Sequence, residues 1–597
     1  MKKDIRVSKM ATCLVGIGFL LTGYGCADND FDLSNIDKTI GIGGDSLALP
    51  ISSTEDIKLD DVLELDNSDL ISIEDNGDYV FKKEGASVAP AYPSINKVVI
   101  SRQTLTSHDL VVNVAAGAKR HNRAIGTQSV EGSVVTFSYK SDRQSSIKDI
   151  TSAVGDGTLT LDVSFSPELR RVVNSFKSMT LQLPEYMSFA QPSTTPAYSS
   201  FDGHTLTFTN VSTANGISIK AQLNKLTFGA QGSTGNSLTF NKQTQVAAME
   251  GDVKVRVTFD DINPVSVDAS KCTISTRMQM SDIVVTGATG QFDPDIDLGD
   301  LGEVTINNVP DFLTGDDVRI NLYNPMIMLD VDNNMNIEGL VKGTITAYDN
   351  QGKAMAAVNV PTFTVNASPV DGQNATTRLC ICKTQPENAD GRQTVLVPNL
   401  SDLMTRIPHS LKFVADVNAN SSKTATVTFG GTTRYRVAPS YNIVAQLAFD
   451  EGAQIVYRDT LDGWNDDMED YALAEGAYVK LTANVQNSVP ANLSVSAHAI
   501  DVNQHAVSSD RIQVQVMNSV KGSADGTTPV TSPLEIRIYE KEKGALKTID
   551  GLALKVEAAA GEGSGAIVGK TINARTQTLK VNDIVIKVYG RVIADLN

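Results

Sequence analysis

A two-residue alternation of apolar and polar side chains runs through most of the chain and constrains its fold more than any other feature. In Thr158–Phe165, apolar residues occupy every second position and polar residues separate them. Such alternation buries one side of a β-strand and exposes the other, which is typical of antiparallel sheets. The pattern recurs in eight segments, centred on Leu161, Ile219, Val255, Ile320, Ala445, Val495, Val514 and Ile586.

Turn sequences separate these segments, and helical periodicity is scarce. Residues 75–78, 349–352 and 430–431 carry the Gly, Asn and Asp residues that favour tight turns. The best helical candidates are the short segments 167–178 and 465–475. The sequence therefore predicts a mainly β fold, built as tandem antiparallel β-sandwich modules.

The N-terminus reads as an export signal. Four basic residues in the first nine are followed by Met10–Leu21, a stretch of twelve residues without a charge, and then by small residues up to Cys26. The apolar stretch is too short for a bilayer span of about 20 residues. A basic start, a short apolar segment and a small-residue exit are typical of a secretory signal peptide.

Cys26 indicates the kind of signal. Residues 21–26 (LTGYGC) resemble a bacterial lipobox, with Gly25 before the cysteine and Gly23 where the usual Leu stands. The resemblance implies a cut before Cys26 and lipidation of its thiol; two or three acyl chains anchor a protein stably. The acidic residues that follow, Asp28 to Asp32, look like the export signal of Bacteroidota surface lipoproteins. We therefore expect an outer-membrane protein, lipid-anchored at the cell surface.

Two further segments are similar to uncharacterised Bacteroidota lipoproteins. These are DLSNIDKTIGIGGDSLALPI near the predicted tether and PDFLTGDDVRINLYNPMIMLDVDN from Pro310, with its Asn324-Pro325 pair. The resemblance implies immunoglobulin-like sandwiches and brings no catalytic residues. Asp45-Ser46-Leu47 and Asp459-Thr460-Leu461 resemble Bacteroidota O-glycosylation sites, which makes Ser46 and Thr460 candidate acceptors.

Proline and polar clusters suggest the domain boundaries. At roughly 150 residues per domain, the chain has room for about four domains. Two segments indicate internal repetition, because residues 329–351 and 481–504 each have the pattern of a strand, an Asn-rich turn, a second strand and then Ala-x-Asp. The predicted units are a signal peptide (1–25), an acidic tether (26–45), a β domain (46–170), a β-sandwich (171–310), an immunoglobulin-like sandwich (311–405) and a C-terminal sandwich region (406–597).

Few residues point to chemistry. No nucleophile, phosphate-binding or metal-ligand motif stands out, so we predict no catalytic residue, no metal ligand set and no cofactor. Buried free thiols are the preferred interpretation of Cys272, Cys380 and Cys382, with a bridge from Cys272 to either of the others as the alternative. The alternative to the absence of metal is a loosely coordinated calcium site at residues 293–300 or 330–338, although neither segment forms an EF-hand.

Trp464, the single tryptophan, lies among carboxylates in DGWNDDMEDYAL. It is either a candidate sugar contact or a ring that closes the end of a core, and the second interpretation is favoured.

The expected function is a non-enzymatic lipid-anchored envelope protein that presents sandwich modules for binding or envelope assembly. The net charge of −18 argues against nucleic acid as a partner, so the expected partners are the membrane and a glycan or a protein. The alternatives are a fimbrial or adhesin subunit, with a candidate cut after Arg123, and a surface glycan-binding lipoprotein.

Overall fold

The computed structural model describes residues 40–42, 47–50, 56–59, 70–114, 127–229, 236–260, 262–263, 265–298, 300–310, 313–430, 434–465, 471–560 and 567–594. Its described residues are mainly β and form six sheets, which confirms the predicted class. In the described part of the chain, no helix is long and apolar enough to cross a membrane.

The first described strands precede all three modules introduced below, and we call residues 40–111 the strap. Its strands are β1 (Ile40–Ile42), β2 (Leu47–Pro50), β3 (Ile57–Lys58), β4 (Ile71–Ile73), β5 (Tyr79–Glu84), β6 (Val98–Ser107) and β7 (Leu110–Val111).

Module 1 follows the strap. Its strands are β8 (Gln128–Ser141), β9 (Ile147–Asp156), β10 (Thr158–Phe165), β11 (Ser175–Gln182), β12 (Met187–Phe189), β13 (Ser193–Thr195), β14 (Ser200–Phe201), β15 (Thr205–Ser212), β16 (Ile217–Thr227), β17 (Ser237–Asn241), β18 (Val246–Phe259), β19 (Thr273–Met280) and β20 (Ile283–Phe292). A short helix, α1 (Pro167–Val172), begins after Ser166, whose side chain accepts from the Leu169 N–H.

Module 2 contains β21 (Asp300–Thr305), β22 (Met326–Asn333), β23 (Gly339–Tyr348), β24 (Ala354–Val365), β25 (Ala375–Cys382), β26 (Gln393–Leu396), β27 (Ser410–Ala419), β28 (Ala425–Thr428) and β29 (Val437–Gln446). Module 3 contains β30 (Ala453–Leu461), β31 (Tyr471–Leu473), β32 (Tyr478–Asn487), β33 (Asn492–Ile500), β34 (Ile512–Met517), β35 (Val530–Glu540), β36 (Gly551–Ala560), β37 (Thr578–Tyr589) and β38 (Val592–Ala594). Short 3₁₀ helices occupy Ala269–Lys271, Leu400–Met404 and Ala545–Thr548.

The three modules share one strand connectivity. One sheet has the order β16-β10-β19 in module 1, β25-β22-β29 in module 2 and β35-β32-β37 in module 3. The facing sheets contain β8-β18-β11-β15, β21-β27-β23-β24 and β30-β36-β33. The modules differ at the edges: β34 pairs with β35 in module 3, and β6, β20 and β9 join both sheets of module 1.

The strap contributes strands to the sheets of all three modules, in the reverse of chain order. In module 3, β2 pairs with β37; in module 2, β5 pairs with β29; in module 1, β7 pairs with β19. All three pairings are antiparallel, and β1 also pairs with β38, the last described strand. The segment that enters the described structure first is therefore built into the last module.

The predicted echo of residues 329–351 and 481–504 corresponds to equivalent structure in modules 2 and 3. In each, a buried Asn (Asn333 or Asn487) donates to the carbonyl four residues later and accepts from the N–H two residues later, at 2.8–3.0 Å. The following turns begin at Asp349 and Asp501, which accept from the N–H groups two and four residues later. The repeated sequence thus encodes a repeated strand–turn–strand unit.

Hydrophobic cores lie between the two sheets of each module. The predicted alternation is confirmed in β10, where Leu159, Leu161, Val163 and Phe165 are all buried. Module 1 and module 2 each have one main apolar cluster, whereas the core of module 3 divides into two smaller ones. Residues of modules 2 and 3 pack into the clusters of their neighbours, so the modules share core contacts.

The two helix predictions had different outcomes. Residues 167–172 form α1, but the chain turns back into β11 at Ser175. In the expected helix at 465–475, Asn465 is helical, but Tyr471–Leu473 form β31 and pair with β38. The sheet hydrogen bonds offered by β38 are a tertiary partner that local periodicity does not encode. The predicted domain boundaries stay a prediction.

Candidate functional site

The outer face of the β34-β35-β32-β37-β2 sheet of module 3 carries a compact group of aromatic and basic side chains. We call it the tyrosine face, and it comprises Tyr478, Lys480, Arg537, Tyr539, Lys587 and Tyr589. Val479, Ile538 and Val588 alternate with these residues and point into the module 3 core. The face is thus directed away from the core by the period-two geometry of its strands.

The three tyrosine rings form a stack across three strands. Tyr478 on β32 lies directly opposite both Tyr539 on β35 and Tyr589 on β37 in the register. The ring centroids of Tyr478 and Tyr589 are 4.8 Å apart with an interplanar angle of 9°, and those of Tyr478 and Tyr539 are 5.1 Å apart at 29°. Because Tyr478 is covered on both sides, its ring presents only an edge.

A row of basic residues lies beside the stack. Lys480 is opposite both Arg537 and Lys587 in the register. The Glu535 carboxylate bonds Lys480 at 2.8 Å and Arg537 at 2.5 Å, so that a single acid is shared by two cations. Among the described residues, no carboxylate lies within ion-pair distance of Lys587. The row therefore carries a local excess of positive charge on a chain whose net charge is −18.

The shared contacts hold the charges of this row in place. The hydrogen bond to Lys480 lowers the pKa of the Glu535 carboxyl, and the same bond to Glu535 raises the pKa of Lys480. Contacts with Tyr539 and then Glu535 raise the pKa of Arg537. Both cations and the acid are therefore charged at neutral pH.

Sequence reasoning missed this face, although a short signal is present. A tyrosine and a basic residue stand two positions apart in three strands, as Tyr478-Val-Lys480, Arg537-Ile-Tyr539 and Lys587-Val-Tyr589. The order is reversed in the second and third strands, which is what antiparallel neighbours need to place like residues side by side.

The predicted free thiols are confirmed among the described cysteines. Cys272, Cys380 and Cys382 are buried and unbridged. Cys380 and Cys382 lie on the same side of β25, as their spacing predicts, and on the side opposite Leu379 and Ile381 in the module 2 core. Burial raises the pKa of the Cys382 thiol to about 12. Neutral, enclosed thiols of this kind are poor nucleophiles.

Trp464 is 2 % exposed and packs into the larger apolar cluster of module 3. Its backbone N–H donates to the Asp550 carbonyl at 2.8 Å, and its indole N–H has no hydrogen-bond partner among the described residues. In this position neither ring face is open to a sugar, and the arrangement is the one expected of a core tryptophan. The predicted acceptor Thr460 is exposed on β30.

Several of the carboxylates in these two segments have protein partners. Asp330 pairs with Arg392, Glu338 pairs with Lys423, and Asp332 accepts from the Thr376 hydroxyl. In the other segment Asp293 pairs with Lys148 at 2.9 Å. Among the described residues, no group of three or more His, Cys, Asp and Glu side chains could hold a metal ion.

A small cavity lies inside module 2. Its volume is about 20 Å³, and its walls are almost entirely apolar, including Leu329, Val341 and Phe363. It could hold about one water molecule, and its volume is far below the ~300 Å³ of a typical ligand pocket.

Three predicted sites, Cys26, Ser46 and Arg123, lie outside the described residues.

No family model and no curated protein matches the chain. Among solved structures, a candidate secreted protein from Parabacteroides distasonis is similar over 50 % of this chain and 82 % of its own, at 16 % identity and a TM-score of 0.34. T=1 particles derived from an infectious bursal virus match 83 % of this chain and 78 % of theirs, at 10 % identity and a TM-score of 0.13. An archaeal virus protein with a triple jelly roll fold gives a TM-score of 0.11 at 10 % identity, over 83 % of this chain and 91 % of its own. At these TM-scores the likenesses carry no functional argument.

Proposed function

We propose that the chain is a non-enzymatic envelope lipoprotein, lipidated at Cys26 in the outer membrane, whose three sandwich modules are presented at the cell surface for binding or envelope assembly. The observation that supports it most directly is the strap. Ile40, the first residue of β1, lies fourteen residues after Cys26 and pairs with β38 of module 3. An anchor at Cys26 would thus be tied to module 3 by a tether whose reach is about 50 Å.

This arrangement gives the modules an order relative to the membrane. The strap passes from module 3 to module 2 and then to module 1. Module 3 would be nearest the anchor, and module 1 would be reached last.

Lipidation is tested by substitution in the native type of host. We expect Cys26→Ala to abolish incorporation of labelled palmitate and to release the chain from the membrane fraction. Cys13→Ala is the matched control, because it removes a cysteine from the predicted leader and should leave labelling unchanged. Equal labelling of Cys26→Ala and the parent chain would refute the anchor. Protease treatment of intact cells then separates surface from periplasmic exposure.

The strap also favours one alternative, a fimbrial or adhesin subunit that assembles by strand exchange. A cut after Arg123 followed by release of the strap would leave β19, β29 and β37 with open edges that another chain could pair with. A trimmed N-terminus and a ladder of oligomers on unboiled gels, both lost in Arg123→Ala but not in Arg143→Ala, would favour this alternative.

A further inference from the structure

The tyrosine face of module 3 has a charge opposite to that of the chain as a whole. Three cations stand in one row across β35, β32 and β37, and Glu535 is shared by the first two of them. A fourth, Lys541, lies 5.1 Å from the centroid of the Tyr539 ring. An acidic protein is repelled by an anionic surface except where such a face is turned towards it.

The aromatic part of the face distinguishes between two kinds of anionic occupant. A sugar stacks on an open ring face, but Tyr478 is enclosed between two rings and Lys541 lies over Tyr539. Tyrosines that present an edge and a hydroxyl next to Lys and Arg are instead typical of the boundary between lipid headgroups and water. A lipid surface therefore fits the geometry better than a polysaccharide.

The position of the face in the chain agrees with a nearby lipid surface. The sheet that carries it ends at β2, and Ala48 of β2 is the register partner of Lys587. Ala48 lies only twenty-two residues after Cys26. A short tether of this kind keeps the sheet close to the membrane in which Cys26 would be anchored.

We infer that the tyrosine face of module 3 docks on an anionic lipid surface, with phosphate-bearing headgroups at Lys480, Arg537 and Lys587 and the tyrosine edges at headgroup level. The inference rests on the proposed anchor for its biological setting. Docking fixes the orientation of module 3 on the membrane, so that the modules reached later by the strap are held away from the lipid.

The test uses the chain from residue 27 onward, which keeps every described residue and has no cysteine to lipidate near its N-terminus. Co-sedimentation at low salt compares phosphatidylglycerol-containing vesicles with pure phosphatidylcholine vesicles. We expect binding to the anionic vesicles only, and we expect added salt to weaken it. Equal binding to both vesicle types, or to neither, overturns the inference.

Substitutions then locate the binding surface. One basic residue near an anionic surface contributes about fivefold to partitioning, so Lys587→Ala should weaken binding about fivefold and Lys587→Glu by more. Lys353→Ala, an exposed lysine in the Asp349 turn of module 2, removes the same charge and should change binding by less than about twofold. Unchanged melting temperatures confirm that the variants are folded. If Lys587→Ala and Lys353→Ala bind alike, the inference is wrong.

A final experiment uses a soluble polyanion to distinguish a polysaccharide from a lipid surface. If dextran sulfate binds through Lys587 while anionic vesicles do not, the face takes a polysaccharide and the lipid assignment fails. Because this chain has no lipid, its result is independent of palmitate labelling at Cys26. Failure of vesicle binding with intact labelling therefore rejects the docking face and leaves the anchor proposal standing.

Discussion

Modules 2 and 3 have the same connectivity and the same Asn-centred turn, yet they use the outer face of the equivalent sheet differently. In module 2, Cys380 and Cys382 lie on that face and are fully buried, and Arg392 in the segment after β25 bridges to Asp330. In module 3, the equivalent face carries the tyrosine stack and the basic row, which are partly exposed. The comparison teaches that the repeated sequence specifies the sandwich, while the outward residues of each strand specify how it is used.

The cores of the two modules also differ. Module 2 has one extended apolar cluster, whereas module 3 divides its apolar residues between two smaller clusters. A divided core has fewer neighbours to compensate for a lost side chain. Truncation of a large buried side chain should therefore lower the free energy of unfolding more in module 3 than in module 2.

The largest expected effect is at Trp464. Trp464→Ala should lower the free energy of unfolding of module 3 by about 3–5 kcal/mol, because it removes the largest side chain of a small cluster. Trp464→Phe should cost clearly less, since the indole N–H has no hydrogen-bond partner to lose in the part of the chain that the structure describes. Urea unfolding followed by circular dichroism measures both variants. A negligible effect of Trp464→Ala would contradict the core assignment.

Next in size are the two turn asparagines. Asn333→Ala and Asn487→Ala each leave two carbonyls and one N–H without their side-chain partner. We expect each to lower the unfolding free energy by about 2–4 kcal/mol. Asn503→Ala, at an exposed position in a turn of module 3, should cost less than about 0.5 kcal/mol. If Asn333→Ala and Asn487→Ala lowered the unfolding free energy by clearly different amounts, the two turns would not be energetically equivalent.

A smaller effect concerns the covered face of module 2. Cys380 and Cys382 should react with a thiol reagent at pH 8 only after unfolding, because burial raises their pKa and excludes the reagent. Arg392→Ala should increase the reaction rate, since it removes the bridge to Asp330. Lys342→Ala, which removes an exposed ion pair with Asp416, is the control and should leave the rate unchanged. Fast labelling of the native parent chain would show that the face is open, as it is in module 3.

The smallest effect concerns the buried tyrosines of modules 1 and 2, in contrast to the partly exposed stack of module 3. It changes stability only at alkaline pH. Burial raises the pKa of Tyr139 to about 12 and raises that of Tyr435 as well. The folded chain therefore holds these protons more tightly than the unfolded chain, whose tyrosines titrate near pH 10. This contribution is complete below pH 10 and is lost as the pH rises towards 12. Tyr139→Phe should flatten the fall of the urea midpoint between pH 9 and 11, and an unchanged slope would contradict the assignment.

Much of the local structure was predictable, because strand alternation and turn chemistry are local properties. The strands around Leu161 and Ile586 and the repeated strand–turn–strand unit follow from neighbouring residues alone. Trp464 was predicted mainly as a core residue, and its burial agrees with that interpretation. The tyrosine face was not predicted, because its stacked rings are 61 and 111 residues apart in the chain and meet only through the register.

The sequence by itself determined the strand-rich class, the sites of the turns and the inward or outward direction of side chains, since each depends on a few consecutive residues. Only the tertiary structure decided which strands are neighbours. It placed β2 beside β37 and stacked Tyr478 between Tyr539 and Tyr589. Backbone hydrogen bonds between strands are the same for every residue type, so such pairings are selected by the fit of whole faces and edges rather than by local sequence.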